Sequence, residues 1–235
     1  MKKLTALALL WLLALVPAFA QTAPEVRSVA AFHALEVSGG VQVTLASGPT
    51  QRVEASADIP EFLGRIITEV RDGVLKVSFE HKLNESWSKD NRPRNLRVSI
   101  VAAPLTGIEA SSGSRVEMKN AYAAGDIRLA ASSGATIMAP SFTAKSVQAS
   151  VSSGAVASLS GKVQSLDVRA SSGGEFKGRD VQATTCEASA SSGGSIAVGA
   201  QDKLTADASS GGSVRYASSA QVTKHTSSGG SVSNR

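Results

Sequence analysis

Ala190-Ser191-Ser192-Gly193-Gly194-Ser195-Ile196 decides the fold, because its Ser-Ser-Gly core recurs down the chain. The other copies are Ser111-Ser112-Gly113, Ser132-Ser133-Gly134, Ser152-Ser153-Gly154, Ser171-Ser172-Gly173, Ser209-Ser210-Gly211 and Ser227-Ser228-Gly229. Successive copies start 21, 20, 19, 20, 18 and 18 residues apart. A fixed period of this size is the mark of a solenoid, whereas a propeller blade takes about 40 residues. A flexible Gly/Ser linker carries no phased apolar positions. Here one apolar residue follows each copy at much the same place: Val116, Ile137, Val156, Phe176, Ile196, Val214 and Val232. Such repetition predicts one column of inward side chains along a solenoid axis.

A second apolar pair precedes the motif, as in Ile127 and Leu129, Val147 and Ala149, Leu166 and Val168, or Leu204 and Ala206. Each coil therefore holds at least two short strands joined by a corner at Gly113, Gly134, Gly154, Gly173, Gly193, Gly211 or Gly229. Glycine turns sharply there because it reaches left-handed backbone angles without a steric penalty. The adjoining serines are expected to bond their own backbone or the serine of the next coil. Coils stacked at the inter-strand spacing of about 4.8 Å would make a rod of roughly 34 Å. An aromatic content of 4% suits a narrow interior.

The chain before the repeat is also β-rich. Leu35 and Val37, then Val41, Val43 and Leu45, alternate with polar neighbours, as half-buried strands do. Ile66 to Val70 and Val74 to Phe79 flank Arg71-Asp72-Gly73, a strong hairpin signal. Pro60 to Arg65 has room for one helical turn, and polar His81 to Arg94 reads as an exposed excursion between strands. The organisation is thus a segment 1–20, a β region 21–103 and a repeat region 104–235. The fold class is all-β, a parallel solenoid of about 18–21 residues per coil.

Residues 1–20 read as a secretory signal. Lys2 and Lys3 precede an apolar run from Leu4 to Val16, and Ala18-Phe19-Ala20 forms a small-residue cleavage site. The run falls short of the roughly 20 residues of a membrane span, and no second long apolar stretch follows. Without Lys2 and Lys3, 22 basic residues face 19 acidic ones, a net +3. That balance is mild and scattered, which disfavours nucleic acid as a partner. The one cysteine, Cys186, reads as a small buried residue.

The residues also resemble a known family. Val26-Arg27-Ser28-Val29 through Phe32, then Leu35-Glu36-Val37-Ser38-Gly39-Gly40-Val41-Gln42-Val43, are similar to the opening of the bacterial DUF2807 family. Glu69 to Leu75 and the Ser-Gly repeats extend the resemblance over about residues 26–235. That family carries the label "putative auto-transporter adhesin, head GIN domain". The resemblance implies a right-handed, parallel β-helix-like solenoid in the cell envelope, and it brings no established catalytic residues.

Chemistry is sparse. Ser86-Trp87-Ser88-Lys89 matches the Ser-x-x-Lys of penicillin-binding enzymes, but the companion Ser-Asp-Asn and Lys-Thr-Gly motifs are missing. His33, His81 and His225 lack metal-ligand spacing. No cofactor is expected. Trp87 is a large aromatic in a polar stretch, and with Lys89, Arg92 and Arg94 it is the candidate binding group for a sugar ring or a protein. The reading is an exported, non-enzymatic protein of the periplasm or cell surface, presenting a solenoid face to envelope polysaccharide or surface protein. The alternatives are a periplasmic structural or stress-related role and a β-helix carbohydrate-active enzyme. The enzyme would use Asp167, Glu187 and Asp207, with Asp167 and Asp207 on one face two coils apart. Self-association through an open edge is the remaining option, blunted by the polar Ser231-Val232-Ser233-Asn234-Arg235.

Overall fold

A computed structural model describes residues 24–81, 95–218 and 220–234. The expected signal segment lies outside the described residues. So do Trp87, Lys89, Arg92 and Arg94, and the Ser-x-x-Lys match with them. The described chain is nearly all-β, with about two-thirds of its residues in strands, and winds into a β-solenoid of about six turns. Its strands all join one 17-stranded curled sheet.

The repeat region is simple. Strands β8 (Gly107–Ala110), β9 (Arg115–Met118) and β10 (Tyr122–Ala131) lead into the long β11 (Thr136–Val151), β12 (Val156–Ala170), β13 (Glu175–Ala190) and β14 (Ser195–Ala208). Then come β15 (Ser213–Ser218), β16 (Gln221–Thr226) and β17 (Ser231–Asn234). All neighbours here pair in parallel. The long strands bend around the rod, so each coil has three sides. A leading sheet precedes the corner and a trailing sheet follows it. Between them a return strip stacks Tyr122, Phe142, Gly161 and Val181. This third side is absent from the two-strand reading of the sequence.

The corner is a two-residue turn of left-handed backbone. Ser112 has φ 52° and Gly113 φ 70°, and the pattern holds through Ser228 at 47° and Gly229 at 76°. Ser114 N–H closes the turn on Ser111 O at 3.1 Å. Positive φ at both central residues is the primed turn of tight β connections, so the second serine shares the strained position with glycine. The bonds between corners are carried by backbone: Gly113 N–H donates to Ser133 O at 3.0 Å, and Gly193 N–H to Ser210 O at 3.2 Å.

Inward columns follow from register. One runs Val43, Val116, Ile137, Ala157, Phe176, Ile196, Val214, Val232. Ala157 rather than Val156 occupies its third-coil position, a correction to the sequence reading. Ala157 is buried, while Val156 pairs with Thr136 on the outer side and is half-buried. The large Phe176 follows the small Ala157 in this column, and its ring lies against Gly178.

The N-terminal region joins the same stack out of sequence order. Strand β2 (Ala34–Val37) and β3 (Gln42–Ser47) form a coil with its own corner, Gly39 and Gly40 at φ 68° and 73°. This coil lies between β8–β9 on one side and β6 (Val74–Phe79) with β7 (Arg97–Ala102) on the other. Beyond them three antiparallel strands close the end: β1 (Glu25–Val26), β4 (Arg52–Ser56) and β5 (Ile66–Arg71). The expected Asp72-Gly73 hairpin joins β5 to β6, with φ 52° and 72°. A helical turn, α1 (Pro60–Leu63), drops Phe62 onto Phe79, ring centres 5.8 Å apart at 84°. Arg65, only 5% exposed, lies 4.7 Å over the Phe79 ring and donates from Nε to Glu80 O at 3.0 Å. A buried guanidinium is thereby satisfied while it covers apolar surface.

Candidate functional site

Because strands alternate, every second residue of each sheet faces out, and parallel register lines these into columns. On the leading sheet one outer column reads Arg128, Gln148, Asp167, Glu187, Thr205, Thr223. Its neighbour reads Ala130, Ser150, Arg169, Ser189, Asp207, His225. Two shallow depressions lie on this sheet. The first, about 120 Å³, is lined by Arg128, Gln148, Ser150, Asp167 and Arg169. The second, about 150 Å³, is lined by Ser189, Asp207, Ser209, His225 and Ser227 among others.

Asp167 and Asp207 lie on the same outer face of the leading sheet, two coils apart, but in adjoining columns. Asp167 neighbours Glu187 one coil on, and Asp207 belongs to the adjoining column beside His225. Asp167 pairs with Arg169 at 3.3 Å, and Glu187 is exposed. A glycosidase needs two carboxyl groups facing one another across a scissile bond. Asp167 and Glu187 instead neighbour one another along the outer face of one sheet, with Asp207 in the adjoining column.

The histidines are dispersed. The His33 ring lies against Gly73, where an added Cβ would come within 2.4 Å of it. The His81 ring meets the edge of Phe79 at 5.2 Å, and His225 is exposed. Among the described residues no group of three His, Cys, Asp or Glu side chains could hold a metal ion.

Cys186 is buried between Leu166 and Leu204 in an inward column. Desolvation, reinforced by the charges of Asp167 and Glu187, pushes its thiol up to about 12. It is a packing residue, without the thiolate that reactivity requires. Burial likewise raises the Tyr122 phenol, whose oxygen accepts the Leu105 N–H at 2.9 Å.

The segment that carries Trp87, Lys89, Arg92 and Arg94 lies outside the described residues, but its flanks sit at an informative place. Strand β6 pairs with β2, and β7 with β3, so β6 ends and β7 begins where the neighbouring coil makes its Gly39-Gly40 corner. Ser38 N–H donates to Val77 O at 2.9 Å, and Gln42 N–H to Leu96 O at 2.8 Å. These flanks lie in line with the column of exposed corner serines, Ser112 through Ser228. Sequence reasoning missed the corner that fixes this alignment, Ser38-Gly39-Gly40. Its likeness to Ser191-Ser192-Gly193, with Gly39 and Gly40 at the two positive-φ positions, was the available signal.

Residues 31–220 match the family described as "Putative auto-transporter adhesin, head GIN domain", DUF2807. No curated protein matches the chain. Solved structures share the fold. A "putative adhesin" from Bacteroides fragilis NCTC 9343 is 16% identical, covers 91% of this chain and 96% of its own, and superposes with TM-score 0.73. A "putative adhesin" from Parabacteroides distasonis ATCC 8503 gives 18%, 91%, 96% and 0.71. A "Putative lipid binding protein" from the same organism gives 18%, 90%, 96% and 0.62. No helix among the described residues is long and apolar enough to cross a membrane.

Proposed function

As the chain belongs to the DUF2807 family, we propose that it is an exported, non-enzymatic binding scaffold of the cell envelope, an adhesin that holds polysaccharide or a surface protein. The observation that carries this reading is the outer surface. Rigid register presents repeated polar columns over several coils, with shallow depressions in place of a convergent pocket. Extended ladders of like side chains suit a partner that is itself extended. Trp87, Lys89, Arg92 and Arg94 are the proposed contact group. The described flanks of their segment, Val77 and Leu96, are bonded to the residues on either side of the Gly39-Gly40 corner, and an aromatic ring there could stack on a sugar while the cations engage acidic groups. Lipid carriage would need an enclosed apolar cavity, and the inward columns fill the interior with side chains.

The test is retention of envelope fractions, a glycan panel and matrix proteins on the immobilised protein. Saturable retention that falls at least tenfold in Trp87→Ala/Lys89→Ala/Arg92→Ala/Arg94→Ala supports the assignment. Retention insensitive to that variant but lost in Arg128→Ala/Arg169→Ala would move the contact to the leading sheet. No saturable retention at all would remove the binding role.

A further inference from the structure

The last coil breaks the inward pattern kept by the coils before it. Register places Lys224 beside Ala206 and Thr226 beside Ala208. Asn234 likewise falls beside Tyr216. Upstream, the Lys224 column reads Ile108, Leu129, Ala149, Val168, Ala188, Ala206, all buried. The Thr226 column is made of alanine and valine throughout, and it too is buried. An ammonium and a hydroxyl thus stand where methyl groups stood, and both residues are exposed. Lys224 does not splay outward. Its Nζ lies 4.9 Å from the centre of the Tyr216 ring, so the side chain folds across the end of the core.

We propose that β16 and β17 form a capping coil, in which Lys224, supported by Thr226 and Asn234, keeps a second copy of this chain from stacking on that edge. The need for a guard is physical. Among the described residues β16 is in register with β14, and β17 with β15, and no strand is in register with their other edges. Open edges recruit strands, and an inward-pointing charge is one way of preventing it. A second copy docking here would strip water from the ammonium without offering it a carboxylate, and a two-fold arrangement would bring two such ammoniums together. The opposite end differs. There α1 and the antiparallel β1, β4 and β5 cover the core, with Phe62 and Arg65 over Phe79. Removing the guard therefore frees one end only, and the product is a closed two-fold dimer rather than a filament.

The experiment compares the wild-type protein with Lys224→Ala/Thr226→Ala/Asn234→Val by size exclusion with light scattering, from micromolar to millimolar concentration. Far-UV circular dichroism checks the fold. The wild type and the charge-keeping Lys224→Arg stay monomeric, while the triple variant doubles its mass. A Ser231→Cys reporter then gives an interchain disulfide in the triple background and not in the wild-type background. Three results overturn the proposal: a folded triple variant that remains monomeric, a wild type that already cross-links through Ser231→Cys, or growth of the variant into fibres. Should the triple variant misfold, the single Lys224→Ala with the same reporter decides, cross-linking for the proposal and its absence against.

Discussion

The paired glycines at the corner do different work, and substituting one residue at a time separates them. At Gly194 an added Cβ would lie 2.4 Å from Ala170 O, 2.5 Å from Ala170 C and 2.8 Å from Ser171 N. Every one of those atoms is backbone of the preceding coil, so no side chain can swing away. At Gly193 nothing lies within 4 Å, but φ is +72°. Gly194→Ala is thus a packing error and Gly193→Ala a conformational one. Overpacking costs about 1–3 kcal/mol, and a rigid backbone neighbour argues for the top of that range. The left-handed conformation costs an alanine about 1–2 kcal/mol. For a chain of this size about 1 kcal/mol moves the melting temperature by roughly 2–4 °C. Gly194→Ala should therefore melt about 6–12 °C below the wild type, and Gly193→Ala about 2–8 °C below, in thermal unfolding followed by circular dichroism. Ala155 occupies the Gly194 position two coils earlier and is buried without strain. Ala155→Gly should accordingly lose only about 0.5–1 kcal/mol, the backbone-entropy penalty of glycine. A Gly194→Ala protein that melts with the wild type would refute the claim that coil-to-coil approach dictates this glycine.

Two further outcomes follow from the interior. The Cys186 thiol should ignore a disulfide reagent in the folded protein and react fully once denaturant is added. Its folded pKa of about 12 stands above the ordinary 9.0, so the neutral thiol favours the folded state. That contribution is complete below pH 9 and is lost as pH rises from about 9 towards 12, where the unfolded chain ionises first. Cys186→Ser should show a weaker alkaline loss of stability in denaturant titrations. Phe176→Ala should cost about 3–5 kcal/mol, because the ring is fully buried and lies against Gly178, whose added Cβ would lie 2.4 Å from the ring. A loss under 1 kcal/mol would mean that the neighbouring coils collapse onto the vacancy.

What the sequence made legible was the repeat and everything tied to its phase: parallel coils, glycine corners and the buried cysteine. What it hid were features that depend on chain order in space. Nothing in Ala34 to Leu45 announces that its two strands will lie between segments that come later in the chain. The β2–β3 coil precedes β6 and β7 in sequence yet separates them from β8 and β9. That interleaving requires non-local pairing, which local alternation cannot report. It also fixes where the flanks Phe79 and Arg97 sit on the rod. The candidate contact group was visible as a composition, Trp87 among cations, but the place of those flanks at a corner of the stack was not.

The error at Val156 shows how such a repeat should be read. Hydrophobicity favours Val156 over Ala157, yet the corner glycine counts three residues to the inward position, and that rule selects alanine. In a globular core an alanine at such a site would suggest a void. In a stack, volume is shared along the axis. Phe176 follows Ala157 in the column, Gly178 leaves room for the Phe176 ring, and Gly161 lets the Phe142 backbone approach closely. The quantity held constant is the filling of a column, not the size of any one residue, so phase outranks hydrophobicity when the two disagree. Read by phase, Lys224 becomes informative: it is an inward position filled by a charge, and its folded path over Tyr216 is what a stop to stacking requires.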